Sequence, residues 1–378
     1  MNHVHSPDQI GLLEGLSLVR HPASSDRQLR AFNGADKLLL EQLQSTSVHN
    51  ILLVNDEHGA LAVASHHFNR VSWQDSRLSE LATLANLRRN KLPHNVQFVA
   101  MDQAPGGSID LVLLRIPKML DLLTYQLEIL RSSLELGTPV YAAGMDKHLS
   151  SRTAAQLTQF LGPTERHKGQ YKAHLYASQP ATEAAREPAA IAFKRWHCAE
   201  AGGELVSAAG CFSRDQLDIG ARCLLELFPQ LPPAEHIVDL GCGNGVLGIA
   251  ASQRLRPKTL TLFDESAMAI VSARNNAERL INAEATQVRA VQADGIELLS
   301  GPAPDLLLLN PPFHQNFTVD ESVGRRLVSQ AAEAIAPSGA LWLVANRHLN
   351  YATQCQQLFS SSRVVGSNRK FVVIEARK

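Results

Sequence analysis

The stretch VDLGCGNGVLG, Val238 to Gly248, decides the fold because a strand, a glycine turn and a helix follow one another directly. HIVDL, residues 236–240, is the short apolar run expected of a strand buried on both faces. GCGNG, 241–245, supplies glycines that permit positive-φ turns, and VLGIAASQRL continues with a helical pattern. A strand that leads through glycines into a helix is typical of a parallel α/β sheet.

Strands and helices continue to alternate beyond this turn. LTLFDES (260–266), VRAVQAD (288–294) and PDLLLLN (304–310) predict three further strands, with helices between them. The segment 191–213 alternates like a small hairpin, and RVVGSNRKFVVIEARK at 363–378 predicts a second hairpin that closes the sheet. The fold class predicted for this half is therefore an α/β doubly wound sheet.

The first half of the chain repeats the same order. The matched pairs are NILLVND (50–56) with HIVDL, HGALAVA (58–64) with NGVLGIA (244–250), VSWQDS (71–76) with LTLFDES, VQFVAMD (96–102) with VRAVQAD, and IDLVLLRIPK (109–118) with PDLLLLNPPF (304–313). This alignment sets Asp75 against Asp264 and Arg115 against Asn310. We interpret the halves as copies of one fold, although any two open α/β sheets share some of this alternation.

The copies differ where chemistry is expected. The first copy lacks the glycine pair before Gly59 and ends its fourth strand in RIPK where the second has NPPF. We therefore predict a degenerate domain at 1–176, which keeps the scaffold without the chemistry, and an intact domain at 191–378. The alanine- and proline-rich stretch ASQPATEAAREPAA, 177–190, predicts an exposed linker between them.

Composition limits the function classes. A chain of 378 residues suggests two or three domains, and 36 basic with 36 acidic residues give no overall signature of nucleic-acid binding. Five cysteines without a CxxC pair and fifteen histidines without ligand spacing argue against a disulfide framework and a metal site. Because no run of about eighteen apolar residues occurs, we expect no membrane contact and a cytoplasmic location.

The glycine loop predicts a ligand site at the edge of the sheet. Gly241, Gly243 and Gly245 let a ligand approach the backbone, but Val246 replaces the last small residue of a dinucleotide motif. Asp264, nineteen residues after Gly245, ends a strand where a carboxylate can accept both ribose hydroxyls. A ribose acceptor without a pyrophosphate loop favours an adenosyl ligand that has no phosphate, and S-adenosylmethionine fits best.

Asp294 ends the third strand and would border the adenine side of the crevice. The fourth predicted strand ends in two prolines, in the stretch LLLLNPPF. Pro311 and Pro312 lack N–H groups and keep the corner extended, so the Asn310 side-chain oxygen and the Pro311 carbonyl can both accept from an exocyclic NH2 group. Phe313 offers a face on which a base can stack. Singly, each feature also occurs as a plain turn, a solvated carboxylate or a core aromatic.

These motifs resemble those of class I S-adenosylmethionine-dependent methyltransferases with the [ND]PP[FYW] sequence. The chain is most similar to bacterial ribosomal RNA guanine-N2 methyltransferases of the RsmC and RlmG type, particularly the 23S rRNA group. The stretches that carry the resemblance are DSRLSELATLANLRRN (75–90), CFSRDQLDIGARCLL (211–225), VDLGCGNGVLG, NPPFHQ and VANRHLNY (344–351). It implies two tandem methyltransferase domains. The second would be catalytic and would methylate one guanine N2 in 23S rRNA, and the first, degenerate domain would help to hold the RNA.

By position, the resemblance also implies roles for single residues. Asp239, with the three loop glycines, would form the cofactor loop, and Asn310 to Phe313 would hold the target base, with Asn310 also bordering the cofactor. Phe212 and Asp218, before the glycine loop, are weaker candidates for the cofactor crevice. Phenylalanine rather than tyrosine at 313 fits the guanine-N2 group but leaves adenine N6 and a protein glutamine amide open as acceptors. A guanine in 16S rRNA is a further alternative. A catalytically silent RNA-binding assembly factor is the alternative from another class.

A base buried in folded RNA must be turned out before it reaches such a pocket, and contacts to the RNA backbone would offset that cost. The candidate contacts are Arg88, Arg89, Lys91, Arg325, Arg326, Arg347, His348, Arg369 and Lys370. The expected partner is ribosomal RNA, with 23S favoured, and the protein is expected to be a monomer without a metal ion.

Overall fold

The chain folds into two compact units, which span Met1–Ile191 and Ala192–Lys378 and are called the first and second unit. The computed structural model describes residues 11–23, 29–43, 48–182, 190–312 and 321–378. In this described part, each unit contains a seven-stranded sheet, and the second unit adds a two-stranded hairpin. None of the described helices combines the length and the apolar composition that crossing a lipid bilayer requires.

The first unit contains α1 Gly34–Glu41, β1 Asn50–Val54, α2 Ala60–Ala64, β2 Asn69–Gln74, α3 Arg77–Arg89, β3 Val96–Ala100, β4 Leu111–Arg115, α4 Leu120–Ser133, β5 Val140–Met145, α5 Thr153–Leu161, β6 Glu165–Arg166 and β7 Ala173–Ser178. Its sheet has the order β3-β2-β1-β4-β5-β7-β6. The first five strands of that order are parallel, and β7 is antiparallel to both of its neighbours.

The second unit contains β8 Lys194–Cys198, β9 Gly203–Ser207, α6 Ile219–Leu225, β10 His236–Leu240, α7 Val246–Leu255, β11 Thr259–Asp264, α8 Ala267–Leu280, β12 Gln287–Gln292, β13 Leu306–Leu309, α9 Glu321–Ala334, β14 Ala340–Asn346, α10 Tyr351–Leu358, β15 Ser361–Ser367 and β16 Phe371–Arg377. Its sheet has the order β12-β11-β10-β13-β14-β16-β15. Since this is the order of the first sheet, strand for strand, the predicted fold class of two tandem doubly wound units is confirmed.

The strand β13 explains why the sequence contains four consecutive leucines. Leu306 and Leu308 pack into the core on one side of the sheet, and Leu307 and Leu309 pack into the core on the other side. All four side chains are fully buried. A parallel strand covered by helices on both faces needs an apolar residue at every position, and this is the pattern of β13.

The strand registers correct one part of the sequence alignment. In β1 and β2 Val54 pairs with Trp73, and in β10 and β11 Leu240 pairs with Phe263. Gln74 is therefore the counterpart of Asp264, and the proposed match with Asp75 is wrong by one residue. Ser76 caps α3 and Ser266 caps α8, so the two helices begin at equivalent positions of the two copies. Asn86 is therefore the counterpart of Asn276.

The boundary of the first domain also shifts. The sequence assigns residues 177–190 to a linker, but Ala177 and Ser178 belong to β7, where they pair with Tyr141 and Val140 of β5. The first sheet therefore continues two residues beyond 176, because these residues complete the antiparallel ladder. The hairpins predicted near 191–213 and at the end of the chain are present as β8–β9 and β15–β16.

Candidate active site

The glycine loop joins β10 to α7 at the carboxyl edge of the second sheet. Gly241, Gly243 and Gly245 have φ values of 73°, 55° and 84°. Residues that carry a side chain rarely adopt this backbone conformation. The amides of Gly241 and Cys242 both donate to the carbonyl of Phe263 in β11, at 2.8 and 2.9 Å. The loop is thus held against the neighbouring strand, and Gly243 faces open space, since a Cβ there would meet no atom within 4 Å.

Asp264 ends β11 beside this loop. One carboxylate oxygen accepts from the Gly243 amide at 2.8 Å, and the other accepts from the Ser266 amide at 3.0 Å. Burial raises the pKa of Asp264, although these two backbone N–H groups act in the opposite direction. Because each carboxylate oxygen has a second lone pair, the pair of oxygens can still accept ribose hydroxyls.

Asp239 lies beneath the loop and is completely buried. Its Oδ2 accepts from the Gly248 amide in α7 at 2.7 Å. A side chain at Gly248 would bring its Cβ within 3.0 Å of the Asp239 Cβ, so glycine permits this close approach. Burial raises the pKa of Asp239 to about 7. The contacts therefore make Asp239 a support of the loop and of the first turn of α7.

Asp294 is placed differently from its prediction. The strand β12 ends at Gln292, so Asp294 follows it in a loop and does not end it. The Asp294 carboxylate forms an ion pair with Arg326 of α9, and the Asp294 amide donates to Glu297 Oε1 at 3.2 Å. Arg326, a candidate RNA contact, is thus engaged by a carboxylate of its own unit. A cofactor role for Asp294 stays a prediction.

Asn310, Pro311 and Pro312, which follow β13 and are called the acceptor corner, lie next to the glycine loop. Leu240 pairs with Leu309 across β10 and β13, so Asn310 leaves the sheet beside Gly241. A Cβ at position 241 would lie 3.9 Å from the Asn310 carbonyl oxygen. Pro311 is buried and Pro312 is exposed. Phe313, the predicted stacking residue, lies outside the described residues.

A carboxylate orients the side-chain amide of Asn310. Its Nδ2 donates to Asp218 Oδ2 at 3.3 Å, and the same Asp218 oxygen caps α6 by accepting from the Ala221 amide at 3.1 Å. The Asn310 Oδ1 atom is buried, and within the described ranges it has no hydrogen-bond partner. A buried acceptor without a donor is costly, so this oxygen is suited to receive a hydrogen bond from a ligand.

Sequence reasoning missed a further residue that supports the loop. Asn276 in α8 donates to the carbonyls of Val206 and Asn244 at 2.8 and 2.9 Å and accepts from the Val206 amide at 2.7 Å. These bonds fasten β9 to the glycine loop, which contains Asn244. The signal in the sequence was an asparagine at matching positions of both copies, Asn86 and Asn276, which the one-residue misalignment concealed.

The equivalent crevice of the first unit has lost these groups. Arg115 takes the place of Asn310 and forms ion pairs with Asp36 at 3.1 Å and Glu57 at 3.2 Å. Gln74 takes the place of Asp264. Gly59 has a positive φ of 76°, as Gly245 does with 84°, so the turn into the helix persists. The degenerate copy therefore retains the scaffold and has neither the carboxylate of Asp264 nor the side-chain amide of Asn310 at the equivalent positions.

The candidate RNA contacts fall into separate places. Arg88, Arg89 and Lys91 are exposed at the end of α3. Arg347, His348, Arg369 and Lys370 are exposed in two loops of the second unit that are joined by a hydrogen bond from the Arg347 amide to the Lys370 carbonyl at 2.9 Å. The Arg325 guanidinium lies over the Tyr351 ring. Among the described residues, no group of three or more His, Cys, Asp or Glu side chains could hold a metal ion.

Two family models match the chain. One, described as RLMG N-terminal domain, matches residues 10–182, and the other, described as Methyltransferase small domain, matches residues 202–375. Ribosomal RNA large subunit methyltransferase G of Stutzerimonas stutzeri (strain A1501) is 38% identical over 368 residues, 96% of this chain and 97% of that protein. The protein of the same name from Pseudomonas aeruginosa (strain UCBPP-PA14) has the same identity and coverage.

A solved structure supports the fold. The T. thermophilus 16S rRNA N2 methyltransferase RsmC, in complex with AdoMet and guanosine, aligns with a TM-score of 0.76 at 21% identity, covering 96% of this chain and 98% of that one. This likeness confirms the class I methyltransferase fold, and the family models confirm the resemblance that the motifs suggested. The chain belongs to the ribosomal RNA large subunit methyltransferase G family and is an S-adenosylmethionine-dependent methyltransferase.

Proposed function

We propose that the second unit methylates the exocyclic N2 amino group of one guanine in 23S ribosomal RNA. The observation that carries this proposal is the buried Asn310 Oδ1, an acceptor without a partner in the described part of the chain, beside the glycine loop. The relatives named for the large ribosomal subunit support 23S RNA as the substrate. The N2 position is supported by the name of the T. thermophilus enzyme, whose identity to this chain is low.

The residues at the carboxyl edge of the second sheet fit the cofactor. When bound, S-adenosylmethionine supplies a methyl group on a positively charged sulfur. Asp264 would accept the ribose hydroxyls, while Gly241, Gly243 and Gly245 would let the ligand lie close to the backbone. Asp239 would hold the loop from below through Gly248. Asp294 would border the adenine, with Arg326 setting its orientation.

Asn310 and Pro311 would prepare the amino group for attack. The N2 lone pair is shared with the ring of the base, so the free amino group is a weak nucleophile. Asn310 Oδ1 and the Pro311 carbonyl would accept from its two N–H bonds and aim the nitrogen at the methyl carbon, with Pro312 keeping the corner rigid. Forming the bond from nitrogen to the methyl carbon would break the bond from that carbon to sulfur, whose electron pair would stay on the sulfur, and the nitrogen would release one proton to solvent. Positioning then accounts for most of the acceleration.

The RNA would be held by exposed basic residues in both units. Arg347, His348, Arg369 and Lys370 lie in loops that follow β14 and precede β16, at the edge of the sheet that also carries Asn310. Arg88, Arg89 and Lys91 would give the first unit its RNA-holding role. Contacts of this kind bind phosphates without reading sequence, and they would offset the cost of turning out the target base.

Incubation with cofactor labelled in the methyl group, and with separated 23S RNA, 16S RNA and protein fractions, tests this function. We expect label in 23S RNA, and nuclease digestion followed by chromatography should identify N2-methylguanosine. The matched control is Asn310→Ala, which should incorporate no label. Label confined to 16S RNA, to adenine or to protein would overturn the proposal, and failure of the chain to bind S-adenosylmethionine would favour a silent assembly factor.

A further inference from the structure

The two oxygens of the Asp218 carboxylate differ in the hydrogen bonds that they accept within the second unit. Oδ2 accepts from Asn310 Nδ2 at 3.3 Å and from the Ala221 amide at 3.1 Å. Oδ1 accepts no hydrogen bond from any residue that the structure describes. Asp218 is half-buried, and its Oδ1 atom is accessible to solvent. Within the part of the chain that the structure describes, Asp218 Oδ1 and Asn310 Oδ1 are therefore both acceptors without a donor.

The absence of a side chain at Gly220 brings these two residues together. A Cβ at this position would lie 2.9 Å from Asp218 Oδ2 and 3.2 Å from Asn310 Oδ1, both shorter than ordinary contact. The two side chains consequently share one small space at the start of α6. A flat group that reaches Asn310 Oδ1 enters the surroundings of the Asp218 carboxylate as well.

Two adjacent hydrogen-bond acceptors complement the Watson–Crick edge of one nucleobase, guanine. Guanine presents the N1–H and N2–H2 groups side by side, so both neighbouring positions are donors. Adenine and cytosine pair their amino group with a ring nitrogen that is an acceptor, which a carboxylate would repel. Uracil has a ring N–H and no amino group. An amide oxygen beside a carboxylate oxygen thus complements guanine and opposes the other bases that carry an amino group.

From this geometry we infer that Asp218 selects guanine, with Oδ1 accepting the N1–H of the target base while Asn310 Oδ1 accepts from its N2 amino group. The inference rests on the proposed function, because it assumes that the base enters the corner through that amino group. Asp218 thereby has two effects. It orients Asn310 through Oδ2, and it distinguishes guanine from other bases through Oδ1.

The test compares two RNAs whose target bases share the 2-amino group but differ at N1, which carries a hydrogen only in guanine, and at C6, which carries an oxygen only in guanine. One is 23S RNA assembled by ligation with guanine at the mapped target position, and the other has 2-aminopurine there, which keeps the 2-amino group but has an acceptor at N1. For the unaltered protein, we expect kcat/KM to be at least about tenfold lower on the 2-aminopurine RNA, the size expected when one base-specific hydrogen bond is removed. Transfer to neither RNA would overturn both this inference and the proposed function.

The decisive variant is Asp218→Asn. Asparagine also caps helices, and its oxygen can replace Oδ2 while its Nδ2 takes the place of Oδ1. An acceptor facing N1 thus becomes a donor. We expect kcat/KM to fall about tenfold or more on guanine RNA and to stay unchanged or rise on 2-aminopurine RNA. Equal losses on both RNAs would show that Asp218 only orients Asn310, and the inference would be wrong.

Two further variants separate this effect from a loss of fold. Asp215→Asn alters an exposed carboxylate in the same segment that pairs with Lys194, and it should leave both rates and their ratio unchanged. Asp218→Ser keeps a capping oxygen and removes the open one, so it should lower the rate on guanine RNA without raising that on 2-aminopurine RNA. A changed ratio in Asp215→Asn would contradict the assignment to Asp218.

Discussion

Asn86 and Asn276 make the same three hydrogen bonds in the two units. Asn276 binds the amide and carbonyl of Val206 and the carbonyl of Asn244 at 2.7, 2.8 and 2.9 Å. Asn86 binds the amide and carbonyl of Val19 and the carbonyl of His58 at 2.9, 2.8 and 2.8 Å. In both units, a helix thus fastens a preceding segment to the loop after the first strand of the sheet.

The duplication provides a matched pair of variants. Asn86→Ala and Asn276→Ala each leave the same three backbone groups without partners, and each should destabilise its own unit by about 3 kcal/mol. Hydrogen exchange at the Val19 and Val206 amides would report the loss. Only Asn276→Ala should weaken S-adenosylmethionine binding, by about tenfold in calorimetry, because Asn244 belongs to the glycine loop. Equal weakening by both variants would contradict the assignment of the cofactor to the second unit.

Asn310→Ala should separate methyl transfer from cofactor binding. The variant removes the acceptor that aims the amino group and leaves the Gly243–Asp264 contact intact. We expect methyl transfer to fall by about a thousandfold or more, as when a reacting group loses its positioning, while the Kd for S-adenosylmethionine stays within about threefold. Radiolabel transfer and calorimetry measure the two effects. An equal loss of both would instead assign Asn310 to the cofactor site.

Arg115 should stabilise the first unit as an ion-pair centre. Its replacement by alanine leaves the buried Asp36 carboxylate and the neighbouring Glu57 without their cation. We expect a loss of about 3–5 kcal/mol in the free energy of unfolding of this unit, the usual cost of breaking a buried pair. The exposed Arg89→Ala should change it by less than about 0.5 kcal/mol. Denaturant titration of both variants gives the comparison, and a similar loss in each would contradict the ion-pair assignment.

The stability of the second unit should depend on pH through Asp239. Burial raises its pKa from 3.8 to about 7, so the folded state retains a proton that the unfolded chain releases near pH 4. Stability from this group is present below about pH 4 and is lost as pH rises through about 7, by roughly 4 kcal/mol in total.

Asp239→Asn should remove that dependence, because the amide oxygen can still accept from Gly248 and carries no charge. The difference in unfolding free energy between variant and unaltered protein should therefore shift in favour of the variant between pH 4 and pH 8. Denaturant titrations at these pH values measure it. A constant difference across the range would show that the carboxylate is already ionised in the folded state at low pH.

The salt dependence of RNA affinity should show whether the exposed basic residues of the first unit, of the second unit or of both contact RNA phosphates. Arg88→Ala with Arg89→Ala tests the first unit, and Arg369→Ala with Lys370→Ala tests the second. Removal of one phosphate contact should reduce the slope of log affinity for RNA against log salt by about 0.7–0.9. Fluorescence anisotropy at several salt concentrations gives the slopes. An unchanged slope in the first pair would remove the first unit from RNA binding.

Patterns confined to one short segment were predictable from the sequence. HIVDL coincides with β10, VLGIAASQRL coincides with α7, and the loop glycines have the positive φ that the turn requires. Strand, turn and helix signals of this kind lie in neighbouring residues. The duplication was also visible, although a comparison of letters alone aligns Asp75 with Asp264, and the capping serines are needed to find the correct register.

Contacts between distant residues were not predictable. Asp218 and Asn310 are 92 positions apart, and Asp294 and Arg326 are 32 positions apart. Each pair depends on where a helix packs against the edge of the sheet, which spacing along the chain does not encode. The same reason conceals the role of Gly220, whose lack of a side chain matters only because Asp218 and Asn310 meet there.

The pairing of Leu240 with Leu309 has a thermal consequence. Gly241 and Asn310 continue from adjacent central strands, whose separation of about 4.8 Å is maintained by the backbone ladder. In the proposed site, the distance between the sulfonium and the target amine would therefore be set by the interior of the sheet. Heating that increases the motion of the surface loops should leave this distance unchanged. Methyl transfer should therefore persist until the central strands unfold cooperatively.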